Sequence, residues 1–512
     1  MAWCERALER CAGAADKHWL LGLIVFSGAY AAATIARALV KPLWFDELFT
    51  FYIARLPAYQ ERLTAAVYDG HPPFFYILTH ASMRLFGESG LALRLPAIIG
   101  FWLLSVSLFL FTRRRLPSIY AFLALVLPLQ TLAYSYAFEA RPYGIVLGMA
   151  GVSLLAWQSA GEARHRWAWL AVLAVSIAVA VSSHFYGVQI VLPLLVGETW
   201  RVLERRKVDW GVAGAIVVGV LPVPFLLSVA RGMISAQFTR TRMSASFFWK
   251  PTLPKLPGFY ENLLHPLVVP LALAFIVLTV ASLLWREGSD GTAPPRRRMP
   301  GPELAAALTY LCIPALMLLG TGLTTGYFSN RYAISAVIGV AVLFPCLLST
   351  SCRIRALAPI ACMAGVLLVW GEQTPVPQWQ KSGRSAGLTA DSPLYPSGDD
   401  LPIAVADVLA FPPLAHYSPP QVRARLTYLT DVAYVVRGPR FVAEVSLAGD
   451  RQLMPGTIVD YGPFVRTHSK FWVYVVSRPE TEWLPSRLMS EGWKLECRGR
   501  NGQDYLFLAT RE

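Results

Sequence analysis

The sequence predicts a mainly α-helical, polytopic membrane protein with about eleven transmembrane helices and a small α/β domain toward its C-terminal end. Three observations carry that expectation. The 512 residues are 55% hydrophobic and only 15% charged, against about 25% charged in soluble domains. Mean hydropathy is +0.45. Positive charge is confined to the apolar part: residues 371–512 hold 15 basic and 15 acidic side chains, leaving 31 basic against 17 acidic in residues 1–370, which is the whole of the net +14. A soluble enzyme does not have this composition. Nor is nucleic-acid binding supported, because the basic residues lie between hydrophobic spans, where a Lys/Arg excess marks cytoplasmic loops.

The first span is read as Trp19 to Ala36, preceded by Arg6, Arg10 and Lys17. Ala31-Ala32-Ala33 resembles a signal-peptide cleavage site, but the apolar run is long for a signal, so the expectation is an uncleaved helix that delivers the next segment outside the cytoplasm. Residues 41–94 then form one long external loop. Pro73 to Phe86 within it looks apolar, yet 14 residues cover only about 21 Å of helix against a hydrocarbon core of about 30 Å, and His80 and Arg84 interrupt it. It is expected to lie on the membrane surface. The next span, Leu95 to Phe111, ends at Arg113-Arg114-Arg115.

Spans near 117–135, 142–160, 167–183, 187–203, 210–230, 264–285, 304–325, 333–350 and 356–370 complete the count. With them, Arg164, Arg166, Arg201, Arg205, Arg206, Lys207, Arg286, Arg296, Arg297, Arg298, Arg353 and Arg355 face inward, and the short outer loops carry only Arg141 and Arg331. Counting Pro73–Phe86 as a span would turn every later basic cluster outward, which the orientation rule rejects. A second long external loop, about 231–263, is basic and aromatic, fit either to touch anionic headgroups or to cover a lipid-linked anionic substrate. Residues 1–370 thus form the transmembrane domain.

From Gly371 to about Asp400 the chain is rich in Pro, Ser, Gly and Asp and reads as a linker. Residues 401–512 form the terminal domain, external by parity. Strands are expected at Leu401–Leu409, Phe471–Val476 and Tyr505–Ala509, with a short helix from Pro485 to Gly492 and no catalytic motif. The cysteines (Cys4, Cys11, Cys312, Cys346, Cys352, Cys362 and Cys497) form no CxxC and indicate neither a disulfide framework nor a zinc cluster.

Chemistry-bearing residues gather at the outer face. Trp44-Phe45-Asp46-Glu47 sets adjacent carboxylates just beyond the first span, where acids within apolar flanks are costly unless used. Desolvation there would raise a carboxylate toward the range of a general base, although one of the pair could simply favour a helix first turn. Asp69-Gly70-His71-Pro72-Pro73 presents an imidazole at the start of the surface helix. Arg94-Leu95-Pro96, Glu139-Ala140-Arg141-Pro142-Tyr143, His184-Phe185-Tyr186 and Asn330-Arg331-Tyr332 each place polar groups at the outer end of a span. Their recurrence at one level points to a shared pocket, while any single one could be a snorkelling residue.

Arginines beside paired acids at this level suit a phosphate whose tail lies in lipid. A guanidinium grips phosphate bidentately and stabilises the charge that grows on it as it leaves, so a carboxylate base on an incoming hydroxyl would complete glycosyl transfer. A transporter or flippase of lipid-linked sugars is the alternative, but transporters put polar sites at mid-membrane between repeated halves, and no repeat is evident.

These motifs, taken in order, resemble the GT-C class of integral membrane glycosyltransferases, in the group containing the protein O-mannosyltransferases and the lipid A aminoarabinose transferase. The likeness spans about residues 15–350 and is specific over 40–145. It implies a GT-C fold in the bacterial inner membrane, N-terminus cytoplasmic and terminal domain periplasmic. It implies a polyprenyl-phosphate sugar donor, transfer with inversion to an envelope lipid, glycan or protein, and no nucleic acid among the partners beside membrane lipids. Asp46, with Glu47 beside it, would be the catalytic carboxylate. His71, Arg94, Glu139, Arg141, Tyr143, His184, Arg331 and Tyr332 would bind substrate. Some relatives hold a divalent metal ion near this site; here no ligand set is evident, and Gly70-His71-Pro72 stands where the aminoarabinose enzyme has Glu-Lys-Pro.

Overall fold

The computed structural model describes residues 2–162, 164–239, 253–265, 299–323, 330–351, 363, 388–396, 398–435, 441–476 and 482–511. The chain begins with an amphipathic helix that sequence reading missed, α1 (Ala2–Lys17), followed by α2 (Trp19–Val40). The segment expected as the first external loop is helical almost throughout: α3 (Phe45–Arg55), α4 (Tyr59–Asp69) and α5 (Phe74–Phe86). Asp46 and Glu47 stand in the first turn of α3, where acids complement the helix dipole. Gly70 ends α4 at φ 81°, a left-handed cap that glycine adopts without penalty. α5 is 13 residues long, in keeping with a helix that does not cross.

The bundle helices are α6 (Gly90–Arg113), α7 (Ser118–Val126), α8 (Tyr143–Ala160), α9 (Arg166–Ser183), α10 (Val191–Arg205), α11 (Trp210–Val220), α12 (Pro222–Thr239), α13 (Leu256–Leu264), α14 (Gly301–Leu323) and α15 (Ala336–Ser351). Among the described residues six helices are long and apolar enough to cross a membrane, or seven if α7 and the bent segment that follows it count as one span. The segment expected at 187–203 is met by α10, at 15 residues shorter than those six. The spans expected at 264–285 and 356–370 fall almost wholly outside the described residues.

Two expectations are corrected. The span at 117–135 is broken: Ser118–Gln130 and Leu132–Phe138 meet at 76°. Thr131 at the joint is extended (φ −112°, ψ 164°) and its hydroxyl donates to the Pro128 carbonyl at 2.8 Å. The external loop expected from 231 begins later, because α12 continues helical to Thr239.

The chain packs as two compact units: residues 1–39, 81–227 and 248–375 form the first, and residues 40–80, 228–247 and 376–512 form the second. In the first unit α6 and α8 touch backbone to backbone. A Cβ on Gly148 would lie 2.2 Å from the Gly100 carbonyl oxygen, and one on Gly100 would lie 2.4 Å from that of Gly144. Small residues at four-residue spacing permit this approach, and close packing replaces the hydrophobic drive that lipid cannot supply between helices. Pro96 within α6 cannot donate to the Ala92 carbonyl; the Ser82 hydroxyl donates to it instead, at 2.5 Å. Leu21, Ile24 and Val25 of α2 and Val217 of α11 remain exposed, as lipid-facing side chains would.

At one end of this unit the basic residues are paired. Arg115 Nε donates to both Glu303 oxygens at 2.9 Å, Arg115 also meets Glu162, and Arg166 meets Asp209. Arg201 donates to Glu198 Oε2 at 3.0 Å and lies 4.0 Å over the Trp157 ring. Sequence reading assigned these arginines to orientation alone; they also tie helix ends together.

In the second unit the C-terminal residues form a six-stranded sheet of order β3-β2-β1-β4-β6-β5. β1 (Ile403–Val405), β2 (Leu426–Thr430), β3 (Thr457–Asp460) and β4 (Lys470–Val475) are parallel, while β5 (Lys494–Asn501) and β6 (Asp504–Thr510) run antiparallel. The strand expected at 401–409 stops at Val405, since Asp407 caps the turn by accepting from the Leu409 N–H at 2.8 Å. Composition divides the chain at the linker; packing divides it otherwise. Phe45, Phe49, Ile53, Ala65, Ala66 and Tyr76 of α3, α4 and α5 share one core with Ile403, Val405, Leu414, Leu426 and Tyr428. Leu43 N donates to the Tyr417 hydroxyl at 2.7 Å, and Ser446 Oγ donates to the Tyr68 carbonyl at 2.8 Å.

Candidate functional site

The sequence-selected residues fall into two sets, one in each unit. In the second unit, Asp46 is half-buried on α3 and Glu47 is fully buried beside Leu48 and Phe49. The turn after α4 is closely organised: the Tyr76 hydroxyl donates to Asp69 Oδ2, and His71 Nδ1 lies 2.9 Å from the Asp69 carbonyl and 3.6 Å from its carboxylate. A carbonyl only accepts, so Nδ1 carries the hydrogen and Nε2 of the neutral ring is the acceptor. His80, which interrupts the apolar pattern of α5, likewise donates to the Ala54 carbonyl at 2.7 Å; its role is structural.

In the first unit, Tyr143, His184, Arg331 and Tyr332 line one small cavity together with Tyr186 and Gln189. The helix ends explain the gathering: Tyr143 opens α8, His184 closes α9, and Arg331-Tyr332 form the short 3-10 turn before α15. Rings line its wall, with His184 5.1 Å from Tyr143 and 5.7 Å from Tyr332, and Tyr186 stacked on Tyr332 at 4.4 Å. His184 Nδ1 accepts from the Tyr186 N–H at 3.0 Å, leaving Nε2 as donor in the neutral ring, and Gln189 donates to the Tyr332 carbonyl at 2.9 Å. The hydroxyl of Tyr143 is buried with no hydrogen-bond partner among the described residues. The cavity is about 10 Å³, room for about one water.

Arg141 is buried and close enough to act on Tyr143 electrostatically, as Arg331 does. Glu139 is half-buried at the end of the 3-10 turn preceding Arg141. Arg94 lines no part of this cavity; it is 1% exposed and donates to the Ala38 carbonyl at 2.5 Å, joining α6 to the end of α2. Sequence reading missed Gln189. It missed as well a second cavity of about 290 Å³ lined by Arg37, Thr131, Tyr134, Ser135, Asn262 and His265, with Arg37 4.9 Å over the Tyr134 ring. The bend at Thr131 creates that space, and an unbroken span hides it from sequence reading. Among the described residues no three His, Cys, Asp or Glu side chains come together to hold a metal ion.

Residues 70–227 match the family model described as dolichyl-phosphate-mannose-protein mannosyltransferase. No curated protein sequence matches the chain. Among solved structures, ArnT from Cupriavidus metallidurans in the apo state aligns over 96% of this chain and 98% of its own, with a TM-score of 0.57 and 14% identity. The same enzyme bound to undecaprenyl phosphate aligns over 95% and 97%, with a TM-score of 0.50 and 13% identity. At such identities the likeness shows the fold, and the fold is mainly helical and ArnT-like. By that fold and by the match over 70–227, the chain resembles the GT-C class of integral membrane glycosyltransferases, in the group of the protein mannosyltransferases and ArnT.

Proposed function

We propose that the protein transfers a sugar from a polyprenyl-phosphate-linked donor to a hydroxyl of an envelope lipid, glycan or protein, with inversion at the anomeric carbon. In this reading it is a bacterial inner-membrane enzyme with about eleven spans, a cytoplasmic N-terminus and a periplasmic α/β domain. The observation that carries the reading is the gathering of Arg331, Tyr143, His184 and Tyr332 at helix ends of the first unit, around a small cavity that does not itself hold a phosphate ester but presents a cation and ring donors to one of its oxygens. A cation with aromatic and imidazole donors suits a phosphate ester, and an ArnT structure holds undecaprenyl phosphate.

The Asp46 carboxylate takes the proton of the acceptor hydroxyl, whose oxygen attacks the anomeric carbon. The bond from that carbon to the phosphate oxygen breaks, and polyprenyl phosphate leaves with the electron pair. Arg331 and Arg141 stabilise the charge that grows on it, and the phosphate departs unprotonated, so no general acid is required. Glu47, buried beside Asp46, positions the first turn of α3. His71, Arg94 and Glu139 order the substrate-facing loops.

Mass spectrometry of envelope lipids and glycans from cells with and without the gene tests the proposal. One species should lose a single sugar when the gene is removed. An unchanged envelope, together with movement of lipid-linked sugar across vesicles without a covalent product, would overturn it in favour of a transporter.

A further inference from the structure

In the second unit, α4 turns the polar side chains Gln60, Glu61 and Thr64 into an open groove of about 630 Å³, within the range of small-molecule sites. Its other wall is the segment from Ala448 to Leu453, at and beyond the end of the helix Phe441–Gly449. The narrow end is fixed by close contact: Ser446 Oγ holds the Tyr68 carbonyl, and a Cβ on Gly449 would lie 2.1 Å from the Tyr68 ring. Only glycine fits there.

Asp450 lines this groove at 5% exposure, and its Oδ2 has no hydrogen-bond partner among the described residues. A buried polar atom left without a partner is costly, so a ligand hydroxyl reaching it would recover that loss. Burial, with the charge of Asp69 nearby, raises the Asp450 carboxyl to about 8. At neutral pH it is therefore a carboxylic acid that both donates and accepts, as an alcohol does. The rim charges oppose each other: Glu61 is acidic, and Arg451 is basic and lies 3.3 Å from Asp460. Amide and hydroxyl groups of Gln60, Thr64 and Gln452 supply the remaining polarity over an apolar floor that includes Tyr68. Such a lining leaves the charge of an ionic ligand uncompensated and matches a neutral polyol.

We infer that this groove binds a saccharide, and that the acceptor of the transferase is a glycan or the glycan headgroup of a lipid. The inference rests on the transferase reading above. The groove adjoins Asp69, which begins the turn carrying His71, and α4 packs on α3, the helix of Asp46. Acceptor groove and candidate base thus belong to one packed unit.

The test uses the full-length protein in nanodiscs and saturation-transfer NMR, with oligosaccharides released by mild acid from the envelope of the producing cell as the probe. Sugar-ring protons should show transfer. Thr64→Trp and Gln452→Trp, at positions that line the groove, fill it and should weaken the signal at least tenfold with an unchanged melting temperature. No signal, or an equal signal in the filled variants, would overturn the inference. Signal from a tryptic peptide fraction of the same envelope and none from the glycans would overturn it in favour of a peptide acceptor. Asp46→Ala separates the two readings. Loss of transfer without glycan binding sinks the groove alone, and glycan binding with normal transfer sinks the assignment of Asp46 alone.

Discussion

The two units of this protein solve opposite problems. In the bundle unit, α6 and α8 meet backbone to backbone through Gly100, Gly144 and Gly148, and polar side chains gather at helix ends. In the other unit a polar surface surrounds a mixed sheet, and three helices from far upstream in the chain complete its core. The candidate groups divide along the same line. Cations and rings suited to a phosphate sit on the bundle, whereas the carboxylates suited to an acceptor hydroxyl travel with the sheet. Under the proposed function, donor binding and acceptor activation fall to parts with different physical origins, and mutations in the two should read out differently.

The largest expected effect is in the sheet unit. Asp46→Ala should lower transfer by about 10²–10⁴-fold, the usual worth of a general base, in protein that still inserts into membranes; a reconstituted transfer assay measures it. Next is the bundle's cation. Arg331→Ala removes a charge-assisted contact worth about 1.5–3 kcal/mol and should raise the donor KM by roughly 10–100-fold, with a smaller change in kcat. Gly148→Leu forces α6 and α8 apart, at a cost of about 3 kcal/mol for overpacking, and should depress the melting temperature in detergent. An unchanged melt would mean that the glycine contact does not hold the bundle.

Smaller effects probe each unit's polar interior. Glu444 is buried, accepts from the Tyr428 hydroxyl and from Trp483 Nε1 at 3.1 Å, and burial raises it from an ordinary 4.5 to about 7. The folded form therefore holds its proton more tightly than the unfolded chain. The stability it contributes is complete below about pH 4.5 and is lost as pH rises through 7, a change on the order of 3 kcal/mol. Amide protection factors across β2 in the full chain, corrected for the intrinsic rise of exchange with pH, should fall between pH 5 and pH 8, and Glu444→Gln should hold them level. Ser82→Ala leaves the Ala92 carbonyl without its donor and should cost about 1 kcal/mol, read from the same detergent melts.

Much of this architecture is legible in the sequence where one rule dominates. Hydropathy finds the long helices, and the run Pro73–Phe86, expected to be too short to cross, is a helix of 13 residues. The motifs Pro142-Tyr143, His184-Phe185-Tyr186 and Arg331-Tyr332 each stand at a helix end, and Tyr143, His184, Tyr186, Arg331 and Tyr332 from them line one cavity. Arg94 carries the same sequence signal yet donates to a backbone carbonyl of α2 instead. A charge at a helix end looks alike whether it faces a cavity or a neighbouring main chain. Three strands escaped because their patterns do not alternate: β2 is buried at every position, β3 has only four residues, and β5 is mostly exposed. The union of α3 and α4 with the sheet joins segments more than 350 residues apart, as between Leu43 and Tyr417 or Tyr68 and Ser446, and periodicity carries no such information.

The division of labour itself is tested most directly by measuring donor affinity and single-turnover transfer together, on purified Asp46→Asn and Arg331→Ala in nanodiscs, with a polyprenyl-phosphate sugar as donor. Asp46→Asn should bind the donor as the unmodified protein does and fail to transfer, while Arg331→Ala should bind weakly and still transfer when the donor is saturating. Normal transfer by Asp46→Asn, or donor binding lost in Asp46→Asn and retained in Arg331→Ala, would contradict the account.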